Sequence, residues 1–277
     1  MPAMDNKIII ESPHNAQVKE LAALTTKKGR RESGRFTAEG VRPLRDALSA
    51  ENVVVHRLAV EADRAEDENI AALIRACTAR KIPALFVTRR IMEKISRMET
   101  PQGVLAEVSL RDKPDLESAG FKGFTLLAHG IQDPRNMGLL LRTSEAAGVK
   151  TFISTSGSTD PFHPTAAQTS MGAVFYQNII SGANAAKAVG IAKRKGTAVF
   201  GTAVRGGIAV DKWLKNLPAD FVLVLGNEGA GLDDEIARSM DANVSLPMWG
   251  RAESLNVAVA AGVLLYLARL EIESKSL

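Results

Sequence analysis

Residues 223–232 read LVLGNEGAGL. An apolar run leads directly into a turn with three glycines, which lets a backbone approach a ligand closely or adopt positive φ. The spacing G-x-x-G-x-G is neither the dinucleotide fingerprint nor a Walker loop, and Glu228 would repel a pyrophosphate. The loop therefore favours a neutral or cationic ligand with an adenosine-like part, although an ordinary β-to-α turn explains it equally well.

A second informative stretch precedes this loop. Residues 132–148 read QDPRNMGLLLRTSEAAG, and Asp133, Asn136 and Arg142 cluster beside the predicted end of a strand. Arg142 lies among apolar neighbours, so it either snorkels, pairs with Glu145, or is held in a functional site. We favour the functional interpretation because the other polar residues lie so close in sequence.

A third stretch follows the loop. Residues 244–257 read VSLPMWGRAESLNV. Pro247 cannot donate to a strand ladder and ends the strand. Ser254 is the predicted N-cap of the last helix, and Asn256, a poor helix former, is predicted in the first turn, facing a polar pocket. Together the three stretches predict one composite pocket for a polar, nucleoside-like ligand.

The C-terminal half alternates short apolar runs with helical segments. Such alternation predicts a parallel sheet with helices on both faces, and ligands bind such sheets at the carboxyl ends of the strands. Strands are predicted at 124–128, 151–154, 198–201, 221–225 and 244–246, and helices at 136–147, 183–195, 210–216, 233–239 and 255–270.

The N-terminal half predicts a smaller α/β unit. Its first helix is expected within 13–28, with Asn15 as N-cap. The polar stretch SLRDKPDLESAGFK has the composition of a linker. The predicted organisation is therefore a domain over 1–108, a linker over 109–122 and a second domain over 123–277.

The charge is concentrated near the N-terminus. The formal net charge is +4, yet residues 17–45 alone carry eight basic and three acidic side chains. Such a cluster indicates a polyanion partner or, equally, a solvated helix face. The candidate contacts to such a polyanion are Lys27, Lys28, Arg30, Arg31 and Arg35.

Composition also limits the other classes of function. The single cysteine excludes an intrachain disulfide and favours a reducing compartment. The four histidines are widely separated and form no metal-binding motif. Neither a signal peptide nor a membrane-spanning run is recognisable. The sequence thus predicts a cytoplasmic protein without a metal or a membrane partner.

The three stretches resemble the motifs of the SpoU family of RNA ribose 2′-O-methyltransferases, in the SPOUT superfamily. The family patterns N-x-G-x-x-x-R-T-(A/S)-E, L-G-N-E-G and (I/L)-P-M-x-G…S-L-N-V match residues 136–145, 225–229 and 246–257. FTAEGVRPLRDAL at 36–48 and TPQGVLAEV at 100–108 resemble the ribosomal-protein-like substrate-binding domain that often precedes the catalytic domain.

The resemblance implies an α/β catalytic domain with a deep trefoil knot, preceded by the smaller α/β RNA-binding domain. It implies S-adenosylmethionine as cofactor, RNA as substrate, and a homodimer formed through the C-terminal domain. The cofactor would be bound by Thr202, Ala203, Leu225, Gly226, Asn227, Gly229, Leu246, Pro247, Met248, Ser254, Leu255 and Asn256.

The resemblance also implies catalytic roles. Arg142 would steer the phosphate and stabilise the forming alkoxide, since a guanidinium is too weakly acidic to serve as a general base. Asn136, Glu228 and Asn256 would orient Arg142 and the ribose, and Glu228 would either bond Arg142 or take the released proton. Gln168 departs from the family, which often has an arginine there, so one RNA contact loses a positive charge.

The favoured function is therefore methylation of a ribose 2′-hydroxyl in 23S ribosomal RNA. The additional N-terminal domain favours ribosomal RNA over transfer RNA, since small single-domain relatives often act on the latter. A non-catalytic RNA-binding protein is the remaining alternative, and the joint presence of the four catalytic candidates argues against it.

Overall fold

The chain divides into two compact units. The computed structural model describes residues 8–112 and 114–275. The N-terminal unit comprises the chain up to Arg111 together with Phe162–Phe175, and the C-terminal unit comprises Asp112–Pro161 and Tyr176–Leu277. The sequence-based division over 1–108, 109–122 and 123–277 did not include this return of the chain to the first unit.

The N-terminal unit is built on a mixed sheet with the strand order β1-β4-β3-β5-β2. Strands β1, β4 and β3 pair in parallel, whereas β5 is antiparallel to both β3 and β2. The strands are β1 (Ile9–Ile10), β2 (Phe36–Glu39), β3 (Val53–Glu61), β4 (Ala84–Val87) and β5 (Val104–Leu110). The helices are α1 (Ala16–Ala23), α2 (Lys27–Ser33), α3 (Val41–Ser49), α4 (Glu68–Ala79) and α5 (Arg89–Ile95).

Local capping explains how the first helices begin. Oδ1 of Asn15 accepts from the backbone N–H of Gln17 at 2.9 Å, so the predicted N-cap of α1 is confirmed. Helix α1 lies within the predicted range 13–28 but ends at Ala23. Thr26 then caps a second helix, α2, by accepting from the N–H of Gly29 at 3.1 Å.

The C-terminal unit is a seven-stranded sheet in which every pairing is parallel, in the order β10-β12-β9-β11-β6-β7-β8. In chain order its first elements are β6 (Phe124–Ala128), α6 (Pro134–Ala146) and β7 (Thr151–Thr155). After α7 (Pro164–Thr169), which belongs to the N-terminal unit, come β8 (Asn178–Ala183), α8 (Ala185–Arg194), β9 (Ala198–Thr202), β10 (Ile208–Ala209), α9 (Val210–Lys215), β11 (Phe221–Leu225), α10 (Asp234–Arg238), β12 (Ala242–Ser245) and α11 (Val257–Ser274).

The α/β class with a parallel sheet is confirmed, and it follows from the apolar runs. Every residue of β6 and β11 is buried, as expected for strands covered on both faces. The central neighbours β12, β9, β11 and β6 all end at the same edge, because parallel strands share their direction. The segments that follow these four strands therefore meet at one edge of the sheet. The deep trefoil knot implied by the resemblance stays a prediction.

The return segment packs inside the N-terminal unit. The ring of Phe36 in β2 lies 4.8 Å from the ring of Phe162 and 6.2 Å from that of Phe175, centroid to centroid. Gln168 of α7 donates from Nε2 to the sulfur of Met98 at 3.2 Å. Across the described ranges, no helix combines the length and apolarity needed to cross a lipid bilayer.

Candidate active site

Three polar side chains from distant parts of the sequence form a hydrogen-bonded chain in the C-terminal unit. Asn136, in the first turn of α6, donates from Nδ2 to Oε1 of Glu228 at 3.0 Å. Asn256 donates from Nδ2 to Oδ1 of Asn136 at 2.9 Å. We call these residues the polar triad. The Asn136 amide uses its donor on the carboxylate and its acceptor on the other amide, so its orientation is fixed.

Asn256 also starts the last helix. Its Oδ1 accepts from the backbone N–H groups of Ala258 at 2.9 Å and Val259 at 3.4 Å, which makes it the N-cap of α11. The prediction of Ser254 as the cap is wrong, because the helix begins two residues later than the sequence pattern indicated. A single amide thus connects the beginning of α11 to the polar triad.

Asn227 organises the glycine-rich loop that follows β11. Its backbone pairs with that of Gly231 through two bonds of 2.9 Å, and its Oδ1 accepts from the N–H groups of Gly229 and Ala230 at 2.9 and 3.0 Å. Its Nδ2 donates to the carbonyl of Gly130 at 2.8 Å. The loop is therefore closed on itself and tied to the segment that follows β6.

The first glycine of this loop is required by close packing. A Cβ at Gly226 would lie closer than 3.0 Å to the carbonyl carbon and oxygen of Gly231 and to the nitrogen of Leu232, all of them backbone atoms that cannot move independently. At Gly229 the nearest atom to such a Cβ is the Asn227 side-chain oxygen at 3.6 Å, an ordinary contact. The two glycines therefore have different tolerances for a side chain.

The loops at the sheet edge enclose a cavity of about 630 Å³, which falls in the range of about 300–1,000 Å³ typical of small-molecule sites. Residues 202–206, 225–232 and 253–255, with Leu246 and Met248, form most of its wall, and Leu264 of α11 contributes to it. Glu228 lines the cavity, so the polar triad reaches its edge. Asn243 also lines it, and its buried Oδ1 has no hydrogen-bond partner among the described residues.

The part of the sequence that forms this site matches a known protein family. The model of the SpoU rRNA Methylase family matches residues 123–266, which include the polar triad and the wall of the cavity. The chain belongs to the SpoU rRNA methylase family. The model of the MRM3-like substrate binding domain matches residues 15–106 of this SpoU methylase.

Relatives along nearly the whole chain agree with that assignment. The 23S rRNA (guanosine(2553)-2′-O)-methyltransferase RlmP of Bacillus subtilis is 30% identical over 260 residues, covering 94% of this chain and 98% of the relative. The 23S rRNA (guanosine-2′-O-)-methyltransferase RlmB of Escherichia coli K12 is 29% identical, covering 73% and 85%. The AdoMet-bound rRNA methyltransferase from Sinorhizobium meliloti superimposes with a TM-score of 0.80 at 29% identity, covering 96% and 98%.

Most residues predicted to bind the cofactor of this SpoU methylase surround the cavity. Pro247 and Asn256 do not line it. Pro247 lies between the lining residues Leu246 and Met248, and Asn256 is the N-cap of α11. The predicted residues that line it are Thr202, Ala203, Leu225, Gly226, Asn227, Gly229, Leu246, Met248, Ser254 and Leu255. Sequence reasoning missed two lining residues, Arg205, which follows β9, and Asn243, which lies within β12. Neither belongs to one of the three motifs. The cofactor-binding roles themselves stay predictions.

Arg142 lies outside the polar triad. It is exposed on α6, and within residues 8–112 and 114–275 it forms no hydrogen bond or ion pair. The bond to Glu228 that we considered is therefore not formed, since Glu228 Oε1 accepts from Asn136 instead. The alternative ion pair with Glu145 is not formed either. The structure brings together three of the four predicted catalytic residues and leaves the guanidinium facing solvent.

A histidine–aspartate pair holds the two ends of the glycine-rich loop. His129 follows β6, and its backbone N–H donates to the carbonyl of Leu225 at 2.8 Å. Its Nε2 lies 2.9 Å from Oδ2 of Asp233. The hydrogen bond from the backbone N–H of Ile236 lowers the pKa of Asp233 below its ordinary value, and the hydrogen bond from His129 contributes to a smaller extent. Asp233 is therefore a carboxylate at neutral pH, and it fixes the loop at its far end.

The basic segment divides into exposed and engaged side chains. Lys27, Lys28 and Arg31 are exposed on α2, whereas Arg30 is only 4% exposed and donates from Nη1 to the carbonyl of Leu24 at 3.0 Å. The prediction of Arg30 as an RNA contact is corrected by this burial. Arg35 is half-exposed and pairs with Glu107 at 2.9 Å.

Metal ligands are not grouped in the part of the chain that the structure describes. No cluster of three or more His, Cys, Asp or Glu side chains occurs there with metal-binding geometry. The single cysteine, Cys77, is buried.

Proposed function

We propose that this SpoU methylase transfers a methyl group from S-adenosylmethionine to a ribose 2′-hydroxyl of 23S ribosomal RNA. The observation that carries the proposal is the convergence of the three SpoU motifs on the polar triad at the edge of one cavity. Its relatives RlmP and RlmB are named for this same transfer to 23S rRNA. A ribosomal substrate also favours a cytoplasmic site of action.

The cavity has properties that fit S-adenosylmethionine. Its volume suits a ligand of that size, the glycine-rich loop forms part of its wall, and Leu246 and Met248 supply an apolar surface. We therefore assign the cofactor to residues 225–231, to Thr202 and Ala203, and to the segment that carries Leu246, Met248 and Ser254.

The residues of this chain supply the surroundings of the acceptor hydroxyl. When bound, S-adenosylmethionine supplies an electrophilic methyl carbon on its sulfonium. A ribose hydroxyl is a weak nucleophile, so positioning and proton removal must provide much of the acceleration. Glu228 presents one carboxylate whose Oε1 is fixed by Asn136, and we assign it the role of accepting the hydroxyl proton or orienting the hydroxyl. Arg142, exposed and unpaired within the described residues, is assigned to the neighbouring phosphate.

The N-terminal unit is assigned to substrate binding. It matches the MRM3-like substrate binding domain, and it presents Lys27, Lys28 and Arg31 at its surface. Phosphate contacts of this kind give an affinity that falls steeply with salt. We propose that these three side chains contact the RNA backbone and give no base specificity.

A homodimer through α11 is the second part of the proposal. One face of this helix carries exposed apolar residues at helical spacing: Val259, Val263, Tyr266 and Leu270, with Leu255 preceding it. A continuous apolar stripe of this kind indicates a protein interface. Leu255 also lines the cavity, so a second copy of the chain on this stripe would lie beside the candidate site. Sedimentation equilibrium tests this: we expect a dimer for the native chain and a monomer for Val263→Glu.

The methyl transfer itself is tested with purified protein, labelled S-adenosylmethionine and 23S rRNA from cells that lack the protein. We expect label in the RNA, and a 2′-O-methyl group at one mapped nucleotide. Transfer to transfer RNA alone would replace the proposed substrate. RNA binding without any transfer, from protein that binds S-adenosylhomocysteine, would instead identify a non-catalytic RNA-binding protein.

A further inference from the structure

Trp249 is the most exposed large apolar side chain among the described residues. It is 92% accessible to solvent, whereas the other tryptophan, Trp213, is 2% accessible and packs against Phe200 and Phe221. Across residues 8–112 and 114–275, the Trp249 ring contacts no other aromatic ring and its indole N–H has no acceptor. Leaving so large an apolar surface in water is unfavourable, which indicates that Trp249 is covered when the protein works.

The sequence position of Trp249 places it in a segment that contributes to the cavity wall. It lies in the segment between β12 and α11, where Leu246 and Met248 on one side and Glu253 and Ser254 on the other line the cavity wall. Within the motif (I/L)-P-M-x-G, Trp249 occupies the unspecified position. Residues on either side of Trp249 line the cavity, whereas Trp249 itself does not.

Two unpaired cations belong to the segments that contribute to the cavity wall. Arg205 lines the cavity and Arg251 follows Trp249 by two residues, and both are exposed. Neither forms an ion pair or a hydrogen bond within the described part of the chain. An exposed aromatic ring accompanied by exposed, unpaired guanidinium groups suits nucleic acid, whose bases stack on aromatic rings while its phosphates pair with arginine. A protein partner would require acidic groups to complement both arginines.

We propose that Trp249 is a stacking platform for a nucleobase of the RNA substrate, next to the ribose that is methylated, with Arg205 and Arg251 on the flanking phosphates. The inference rests on the proposed function and adds a positioning residue to it. A ribose must leave a regular helix to bring its 2′-hydroxyl into an enclosed site, and its base or a neighbouring base is then unstacked. Stacking on Trp249 restores part of the stacking energy that the base gives up.

The first test uses fluorescence, since the chain holds two tryptophans. In Trp213→Phe protein, Trp249 is the only indole, and we expect saturable quenching as unmethylated 23S rRNA is added. The Trp249→Phe protein, which keeps the buried Trp213, should show little change. If Trp213→Phe does not fold, the difference between native and Trp249→Phe protein gives the same signal. Equal quenching in native and Trp249→Phe protein would overturn the proposal.

The second test separates stacking from other roles by kinetics. Trp249→Ala should raise KM for 23S rRNA by about 10- to 100-fold, the effect expected when one base stack is removed, while Trp249→Phe stays within a few fold. Affinity for S-adenosylhomocysteine should be unchanged in both. An unchanged KM in Trp249→Ala would contradict the inference alone, because the native enzyme would still methylate RNA. A Trp249→Ala protein that no longer forms the dimer would show that a second copy covers the ring.

Discussion

The side-chain amide of Asn256 lies 2.9 Å from Oδ1 of Asn136, although 120 residues separate them in the chain. The same Asn256 caps α11 through its own oxygen. Asn256 therefore links the start of α11, the helix that carries the proposed dimer stripe, to Asn136, which in turn orients Glu228. Stability and chemistry are coupled at this position, and variants can separate them.

Asn256→Asp should keep the cap and lose the chemistry. Aspartate accepts from the helix N–H groups as asparagine does, but it cannot donate to Asn136. The Asn136 amide would then turn its donor toward the introduced carboxylate and its oxygen toward Glu228. We expect methyl transfer to fall by about 100-fold, the order of a misplaced catalytic group, with the melting temperature unchanged. Asn256→Ala, which also removes the cap, should be less stable by about 1 kcal/mol. Full activity in Asn256→Asp would remove the polar triad from the mechanism.

Gly226→Ala should disrupt the cavity wall, because its Cβ would overlap the backbone of Gly231. Since backbone atoms on both sides are fixed by the Asn227 bonds, we expect S-adenosylhomocysteine to bind more than about 10-fold more weakly, a loss of about 1.4 kcal/mol. Gly229→Ala is the matched control, with its Cβ in ordinary contact. Calorimetric titration of both variants measures this, and equal affinities would contradict the assigned binding loop.

Arg142→Ala should abolish methyl transfer and leave the fold and cofactor affinity intact. Because Arg142 is exposed and unpaired within the described residues, its removal should change the free energy of unfolding by less than about 0.5 kcal/mol. Arg135→Ala, another exposed arginine of α6, should keep its activity. Full methyl transfer by Arg142→Ala would exclude the phosphate-steering role.

Charge reversal of Lys27, Lys28 and Arg31 should weaken RNA binding and leave cofactor affinity unchanged. The removal of each phosphate contact should also reduce the slope of log affinity against log salt by about 1. Arg30→Ala should act differently: it removes a buried guanidinium and its bond to Leu24, so it should destabilise the N-terminal unit. Filter binding at several salt concentrations measures the first effect, and unchanged slopes would remove α2 from the RNA surface.

Glu107 makes the stability of the N-terminal unit depend on pH. Burial alone would raise its pKa, but the hydrogen bonds from Arg57 and Arg35 more than offset this and hold the pKa below its ordinary value of 4.5. The carboxylate is the stabilised form, so its contribution is present above about pH 4.5 and is lost as pH falls through the folded-state pKa.

Glu107→Gln should therefore remove that pH dependence. It should also lower the free energy of unfolding of the N-terminal unit by about 2 kcal/mol at pH 7, because Arg57 loses its buried partner. Both tryptophans lie in the C-terminal unit, so hydrogen exchange of the amides of β3 and β5 is the suitable measurement. Glu32→Gln is the control, since its ion pair with Lys28 is exposed and long, at 3.9 Å. Equal protection in native and Glu107→Gln protein at pH 7 would contradict this account.

The sequence predicted the features that depend on local pattern. The apolar runs of β6, β9, β11 and β12 identified a parallel sheet, and three polar turns at their ends indicated one site. Strand β8 was missed because its sequence, NIISGA, interrupts the apolar run with Ser181 and Gly182.

Features that depend on tertiary contact were not predictable in this way. The charge pattern treated Arg30 like its neighbours, but the fold buries it against the carbonyl of Leu24. The pattern also favoured Ser254 as the N-cap of α11. In the structure Asn256 caps this helix through its side-chain oxygen and donates from its side-chain nitrogen to Asn136. Arg205 was missed because no motif surrounds it; only the adjacency of β9 and β12 brings it to the cavity.

The return of Phe162–Phe175 to the N-terminal unit has a consequence for biosynthesis. Phe36 emerges early from the ribosome, yet its ring partners Phe162 and Phe175 are translated only after β6, α6 and β7. The first unit therefore cannot complete its core as a nascent chain until part of the second has been made. A gene fragment that ends at codon 111 would encode an incomplete module, so recombination could exchange this recognition unit only by carrying two separate segments.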